Sequence, residues 1–466
     1  MTPIKIAFFS HSPIVTAMEH YRVIGPLSEA GIQYQRGIKE GHVDETVFTD
    51  SDIILFQRNF SSRFTEYKAI VDLSRKLKKP VVMDLDDYLI GLYVNHPDRV
   101  NTPFGMELVS ILHAIRDADA ITVTTPSLQK TIRQLNPNVY VLPNYLDTKL
   151  WNIHPPRTIS STEPIKIVYI GTPSHASDLD SISESLSTIT NTFGNRIAFL
   201  FYGAPPPAHL AELENVQWIE PETYTLSEFV EIIQKIEGDI AIAPLLDNEF
   251  NRCKSPIKFF EYTAMGMPGV YSDINAYSDL VEDGINGFLA SKQEDWVEKL
   301  SMLINSTTKR RELIETAQKH LRERWLLHDN AHQWTKVYSK IIQNGIRPKS
   351  ELPLNNDVIA NIAEQLQEQT TRQAIATNKL HHDIAVLESK VSMFERNISD
   401  LRKYSSDLEE VIDIKKQESA TLRSNIQALE NDNTNLKLEL VDYATSTSWK
   451  ITRPFRKIIK YFRRGR

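Results

Sequence analysis

Short, almost wholly apolar runs alternate with amphipathic stretches through the first two thirds of the chain, and few architectures accept that pattern. The runs IKIAFFS, DIILFQ, PVVMDLDD, AITVTT and VYVLPN within residues 1–155 lack the in-and-out alternation of a half-solvated strand. They read as parallel strands buried on both faces. Between them, FTEYKAIVDLSRKLKK and ELVSILHAIRDA carry helical periodicity, so strand and helix alternate as a doubly wound α/β domain requires. The pattern then repeats as IKIVYIG, IAFLFYG, VQWIE, DIAIAPL and PGVYSD. The two sets are separated by HPPRTISSTEP at 154–164, a Pro/Ser/Thr-rich stretch without periodicity that reads as a linker.

The single cysteine, Cys253, excludes a disulfide framework and fits a reducing compartment. With 41% hydrophobic and 24% charged residues the make-up is that of a soluble globular protein. No run approaches the roughly 20 apolar residues that span a bilayer, and the N-terminal MTPIKIAFFSHSP has no signal-peptide cleavage pattern. A cytoplasmic location is expected. The net charge of −7 conceals one basic segment, since Ser446 to Arg466 holds eight Lys or Arg and no Asp or Glu.

In open parallel sheets the ligand crevice lies at the carboxyl ends of the strands, so the loops there carry the chemistry. YIGTPSH ends a strand at Gly171, where a backbone without a side chain lets a phosphate approach; a plain strand-ending turn would look the same. In APLLDNEFNRCKSPIKFFEY a strand ends at Pro244, a polar loop follows, and a helix starts near Ser255 and Pro256. Lys254 and the positive end of that helix point the same way, which suits an anion such as a diphosphate. Glu261, about two turns in, suits a pair of ribose hydroxyls, or else simply pairs with Lys258 on a solvated helix face.

The stretch SPIKFFEYTAMGMPGV followed by DLVEDGINGFLA resembles the nucleotide-sugar segment of retaining GT-B glycosyltransferases, the group 1 or family 4-like enzymes of bacterial surface polysaccharide synthesis that carry an E-x7-E motif. KKPVVMDLDD, ADAITVTTPSLQKTI, VYVLPNYLDTKLW and YIGTPSHASDLDSI extend the likeness, in order, over roughly residues 1–345. The resemblance implies two Rossmann-like domains, an acceptor domain at 1–155 and a nucleotide-sugar domain at 164–325, with a helix at 326–345 returning to the first. It places the ribose on Glu261 and the pyrophosphate on Lys254, Arg252 and Lys258, beside Ser255. The motif's first glutamate falls on Cys253, which is a departure. A second departure puts Asp86 where many members have a histidine near the donor sugar. In a third, the loop after Gly171 offers Thr172, Ser174 and His175 in place of an Arg/Lys pair.

Asp86, Lys254 and Glu261 are the catalytic candidates, and His11, Asp86 and Asp87 those on the acceptor side, although an aspartate there would equally cap the following turn and His11 would equally be a plain turn residue. Asp84 and Asp86 form a D-x-D, but in a GT-B setting the diphosphate is stabilised by helix dipole and basic side chains. Neither metal nor cofactor is expected; the nucleotide sugar is a substrate. With retention, the acceptor hydroxyl attacks on the leaving-group face and the departing phosphate takes its proton, so no carboxylate pair is required.

From about Asp357 to Arg453 there is no Gly and no Pro. One heptad register runs from Leu380 to Leu440, with Ile384, Val391, Ile398, Ile412, Ile426 and Leu440 at a, and leucine at most d positions. That composition favours a parallel two-stranded coiled coil over 356–442 and so a homodimer, with Asn433 at an a position fixing register; the alternative is a long single helix folded back on the body. The last segment, 446–466, sets Trp449, Phe455, Ile458, Ile459 and Phe462 among Arg456, Lys457, Lys460, Arg463 and Arg464. Such an amphipathic helix suits an anionic membrane surface; nothing in the globular part favours nucleic acid. The expectation is an enzyme docked on the cytoplasmic face of the inner membrane, extending a lipid-linked glycan. The alternative is an inactive GT-B scaffold serving as a tether or length-setting spacer, with Cys253 as one symptom.

Overall fold

A computed structural model describes most of residues 3–347, isolated positions between 379 and 387, and the helix Ile412–Thr445. The chain divides into two units, residues 1–93 with 108–355 and residues 94–107 with 356–466. The first unit holds two parallel sheets.

The first sheet begins with β1 (Lys5–Phe9) and β2 (Gln33–Arg36). A two-residue hairpin pair, β3 (Ile38–Lys39) and β4 (His42–Val43), stands apart. β5 (Ile53–Gln57), β6 (Val81–Leu85), β7 (Ala120–Val123) and β8 (Val139–Val141) complete the sheet in the order β2-β1-β5-β6-β7-β8, every pairing parallel. β5 and β6 are buried at every position, which is why their sequences are continuous apolar runs. β2 is absent from the sequence reading because it is an edge strand: QYQR alternates exposed and half-buried residues and carries no apolar signal.

The second sheet comprises β9 (Ile165–Gly171), β10 (Ile197–Gly203), β11 (Val216–Ile219), β12 (Ile240–Ala243), β13 (Gly269–Ser272) and β14 (Phe288–Ala290). Its order is β11-β10-β9-β12-β13-β14, again all parallel. β14, only three residues long, is the other edge strand that periodicity cannot register. Both faces of β9 are packed: Ile167 and Tyr169 join one core with Leu186, Phe199 and Leu300, while Val168 and Ile170 join another with Phe259, Phe260 and Ile314. The strand order reverses between β9 and β12, and such a switch point opens a crevice at the carboxyl ends of the strands.

After the second sheet the chain returns to the first. Leu327, Trp334, Tyr338 and Ile341, most of them on the helix His332–Asn344, share a core with Ile6, Phe8, Leu55 and Val82. The stretch 154–164, read as a linker, is tied down at several points. His154 N–H donates to the Ala264 carbonyl at 2.7 Å, Gln318 Nε2 donates to the His154 carbonyl at 2.6 Å, and Arg157 pairs with Asp239 at 3.2 Å. Its partners are distant in sequence, so composition alone could not reveal them.

In the second unit the helix Ile412–Thr445 runs for 34 residues. Leu422, Ile426, Leu429, Asn433 and Leu436 form its half-buried line, and the positions between them are exposed. Most of the predicted coil before Ile412 lies outside the described residues, as does the whole basic tail at 446–466 with Trp449 and Phe455. Among the described residues no helix is long and apolar enough to cross a membrane.

Candidate active site

Two neighbouring segments at the switch point build the site: the turn after β9 and the stretch from β12 to the helix Ile257–Ala264. The helix starts directly after Pro256, which holds the N-cap position without a capping hydrogen bond. At the other end Gly266 takes φ +79°, and Met267 N–H reaches back to the Tyr262 carbonyl at 2.9 Å, a glycine-terminated stop. Lys258 Nζ donates to the Ile170 carbonyl at the end of β9 and lies 5.4 Å over the Tyr169 ring. Burial, with a contribution from Lys254, draws the Lys258 ammonium down to about 8. Lys254 Nζ sits 4.7 Å over the Phe250 ring and 3.5 Å from His175 Nε2. His175 Nδ1 is 2.8 Å from Asp178 Oδ2. Burial and the facing Lys254 charge hold the imidazole at about 4, so it is neutral near pH 7.

Of the donor candidates, Gly171, His175, Lys254, Lys258 and Glu261 therefore converge on the ends of β9 and β12. Arg252 is turned away, half exposed and gripped by Asp247 at 2.6 and 2.8 Å. Thr172 is exposed, its hydroxyl 2.6 Å from Ser174 Oγ and its carbonyl accepting from His175 N–H at 3.0 Å.

The reading of Glu261 as one half of a solvated pair with Lys258 is overturned. Glu261 is 8% exposed, and its Oε1 accepts a hydrogen bond at 3.3 Å from Tyr21 Oη of the first lobe. Trp151 Nε1 in turn donates to Tyr21 Oη at 3.2 Å. Burial raises the Glu261 pKa, while the Lys258 charge and the Tyr21 hydroxyl pull it the other way. Tyr21 lies on a π-helical turn, His20–Ile24, a widened backbone often found at functional sites.

Cys253 does not line the crevice as a sugar ligand would. Its side chain is buried, with Sγ 3.9 Å from Thr131 Oγ1, and its carbonyl accepts from Thr125 Oγ1 at 2.8 Å. Thr125 also caps the first-lobe helix Pro126–Ile132, so one side chain both starts a helix and holds the loop. Burial pushes the thiol up to about 11. Next to it, Ser255 Oγ accepts from Asn144 Nδ2 at 3.1 Å. Asn144 Oδ1 accepts from Arg22 at 3.0 Å, and Arg22 clasps both oxygens of Asp84 at 2.8 and 3.0 Å. Thr122 Oγ1 adds a bond to Asp84 at 2.6 Å. The Asp84 half of the D-x-D is thus committed to a buried network reaching from the first sheet to the anion loop.

Asp86 lies just beyond β6, 3% exposed, 3.0 Å from Arg58 Nε. Burial raises its carboxyl to about 6 against the pull of Arg58. Arg58 itself takes φ +45°, a left-handed conformation that is costly for a side-chain-bearing residue. Asp87, half-buried, is close enough to Cys253 for its charge to help raise the thiol. His11 follows β1, its Nδ1 3.3 Å from Ser62 Oγ, and burial followed by Arg63 lowers its pKa. No described hydrogen bond or ion pair joins His11 or Asp86 to the lysine cluster. Sequence reading missed Tyr21, Arg22, Asn144, Thr125 and Asp178. The run EHYR places three ionisable residues around Tyr21 ahead of an apolar turn and was the one signal available.

Two parallel sheets meeting across this seam constitute a GT-B fold. Two solved structures share it. Sucrose-phosphate synthase from Thermosynechococcus elongatus superposes with a TM-score of 0.54 at 12% identity, covering 73% of this chain and 100% of that one. Anabaena HepE in complex with UDP-glucose gives 0.51 at 13% identity, covering 72% and 100%. No curated protein matches the sequence. Residues 164–306, which hold the whole second sheet, match the family model Glycosyl transferases group 1. Residues 164–306 are thus a glycosyl transferases group 1 domain set in a GT-B fold.

Proposed function

We propose that the chain is a retaining glycosyltransferase that moves a sugar from a nucleoside diphosphate to a lipid-linked glycan or surface polysaccharide acceptor. The observation that carries this reading is the convergence of two lysines, a neutral histidine and a helix start on one switch point, with buried Glu261 on the same helix. Lys254 and Lys258 face the diphosphate, and Glu261 accepts from the ribose hydroxyls. As the bond from the anomeric carbon to the phosphate oxygen breaks, fixed cations and N–H dipoles stabilise the charge that develops. The acceptor hydroxyl forms the new bond on the same face and gives its proton to the departing phosphate oxygen. Asp86, raised to about 6, stands on the acceptor side as a hydrogen-bonding group.

The helix Ile412–Thr445 pairs with a second copy through the line Leu422, Ile426, Leu429, Asn433 and Leu436. The basic tail rests on the anionic cytoplasmic leaflet. Sedimentation of the full chain and of a chain ended at residue 350 checks the dimer, which the shorter chain should lose. Flotation with anionic vesicles checks the tail.

The deciding experiment is a thermal shift of the full chain against UDP, GDP, ADP and dTDP sugars, because a ligand of the native state raises the melting temperature by mass action. One nucleotide class should raise it, and Glu261→Ala should abolish the shift. No shift with any of the four sinks the donor reading and favours the scaffold. NMR of the product's anomeric centre checks retention.

A further inference from the structure

Asp178 was not singled out by any motif, yet it is among the most heavily bonded side chains at the switch point. It is 2% exposed on the turn of helix that follows β9. Its Oδ1 accepts from Leu246 N–H at 2.8 Å and Asn251 Nδ2 at 3.0 Å, which holds the loop between β12 and the lysines. Its Oδ2 faces His175 Nδ1 at 2.8 Å. Burial works against the charged form, but His175, the Leu246 amide and Lys254 hold the carboxyl below its ordinary value. An ionised carboxylate only accepts, so the proton of the neutral imidazole resides on Nδ1. That leaves Nε2 with a lone pair aimed at Lys254 Nζ, 3.5 Å away.

We infer that Asp178 and His175 are positioning residues that aim the Lys254 ammonium at the donor diphosphate by fixing which imidazole nitrogen accepts. This rests on the donor reading above and adds Asp178, with the imidazole tautomer it fixes, to a loop in which only His175 was a candidate. Lys254 Nζ has no carboxylate within ion-pairing distance among the described contacts; the ammonium meets the Phe250 ring and His175. A neutral acceptor orients the ammonium without neutralising it, which leaves its charge available to a phosphate. A carboxylate in direct contact would compete with that phosphate. Placing the imidazole between Asp178 and Lys254 therefore steers the lysine at little electrostatic expense.

Asp178→Asn separates this role from support of the loop. The asparagine oxygen still accepts from Leu246 and Asn251, whereas its amide N–H now faces His175 Nδ1. The imidazole proton must move to Nε2, and a donor then opposes the Lys254 ammonium. Calorimetric titration of the full chain with UDP, GDP, ADP and dTDP, and with the matching monophosphates, reads the result. Asp178→Asn should weaken the preferred diphosphate about tenfold, the scale of one charge-assisted hydrogen bond, and the monophosphate less. The melting temperature should stay near that of the wild type. In a Lys254→Met background the same substitution should cost nothing further, because its effect passes through that lysine. If Asp178→Asn fails to fold, His175 carries the test. His175→Gln, whose amide can donate to Asp178 and accept from Lys254 together, should keep most of the affinity, and His175→Leu should lose it. Wild-type affinity in Asp178→Asn, a full penalty persisting without Lys254, or equal behaviour of the two His175 variants overturns the positioning role alone. Failure of the wild type to bind any of the four diphosphates overturns the donor reading, and the positioning role with it.

Discussion

Tyr21 Oη of the first lobe donates to Glu261 Oε1 on the helix Ile257–Ala264 of the second, 3.3 Å away, and Trp151 Nε1 donates to the same hydroxyl at 3.2 Å. The carboxylate proposed to receive the ribose is therefore already engaged across the lobe boundary, and a ribose must share or displace Tyr21. Tyr21→Phe removes that competitor but leaves the Trp151 N–H without its acceptor in a buried seam. Its cost is expected at about 1–3 kcal/mol of stability, measured by urea unfolding. The same hydroxyl lowers the Glu261 pKa, so its loss raises that pKa further. Nucleotide affinity in Tyr21→Phe should then fall at a higher pH on acidification than in the wild type; an unmoved acid limb would detach Glu261 from the ribose.

The alkaline side of the same binding curve belongs to Lys258, drawn down to about 8 by burial and by Lys254, with Glu261 and Asp178 opposing. The cation is present below that pH and lost above it. Diphosphate affinity should decline as pH rises through about 8. Lys258→Arg keeps its charge throughout this range and should abolish the alkaline decline even if absolute affinity drops. Calorimetry between pH 6 and 9, read as a wild-type curve flat across about pH 8, would count against Lys258 as a phosphate ligand.

Arg22 and Asp84 are a buried pair, with side chains 0% and 2% exposed. Arg22→Met leaves the Asp84 carboxylate charged and without its cation, a loss expected at about 3–5 kcal/mol. Asp84→Asn in the same background should recover part of it by removing the stranded charge. Denaturant midpoints of the two variants check the order.

Gly266 occupies φ +79°, and a Cβ there would fall 2.5 Å from the Pro155 carbonyl oxygen. Gly266→Ala should destabilise the fold by about 2 kcal/mol or more, because it adds left-handed strain and pushes the 154–164 stretch off the end of the helix Ile257–Ala264. A melting temperature within one degree of the wild type would mean that the linker is not held there.

The sites that were legible in sequence are those whose chemistry is local. Lys254 and Lys258 flank a helix start, and Glu261 follows on the same helix, so spacing along 253–261 sufficed to group them. His175 was legible only through the resemblance, as a residue of the loop after Gly171 standing where an Arg/Lys pair is usual. Asp178, three residues on, was not singled out; its value comes from Leu246, Asn251 and, through His175, Lys254, all about 70 or more residues away. Arg252 was grouped with the lysines by adjacency, yet one turn of helix, Glu249–Arg252, rotates it toward Asp247.

The sequence by itself determined the two parallel sheets, because buried strands must be apolar at successive positions and that requirement is written locally. It also determined the heptad line along Ile412–Thr445, whose period is set by helix geometry. Edge strands β2 and β14 escaped because a half-solvated or three-residue strand bears too few apolar positions to show a period. Only the tertiary structure decided that Glu261 is buried against Tyr21, that Cys253 turns to Thr125 and Thr131, and that Asp84 belongs to Arg22. The physical reason is the same in each case. A polar group's partner is chosen by tertiary packing, within a lobe or between lobes, of residues about 60 to 240 positions apart, and no local pattern encodes which hydroxyl or guanidinium that packing will deliver.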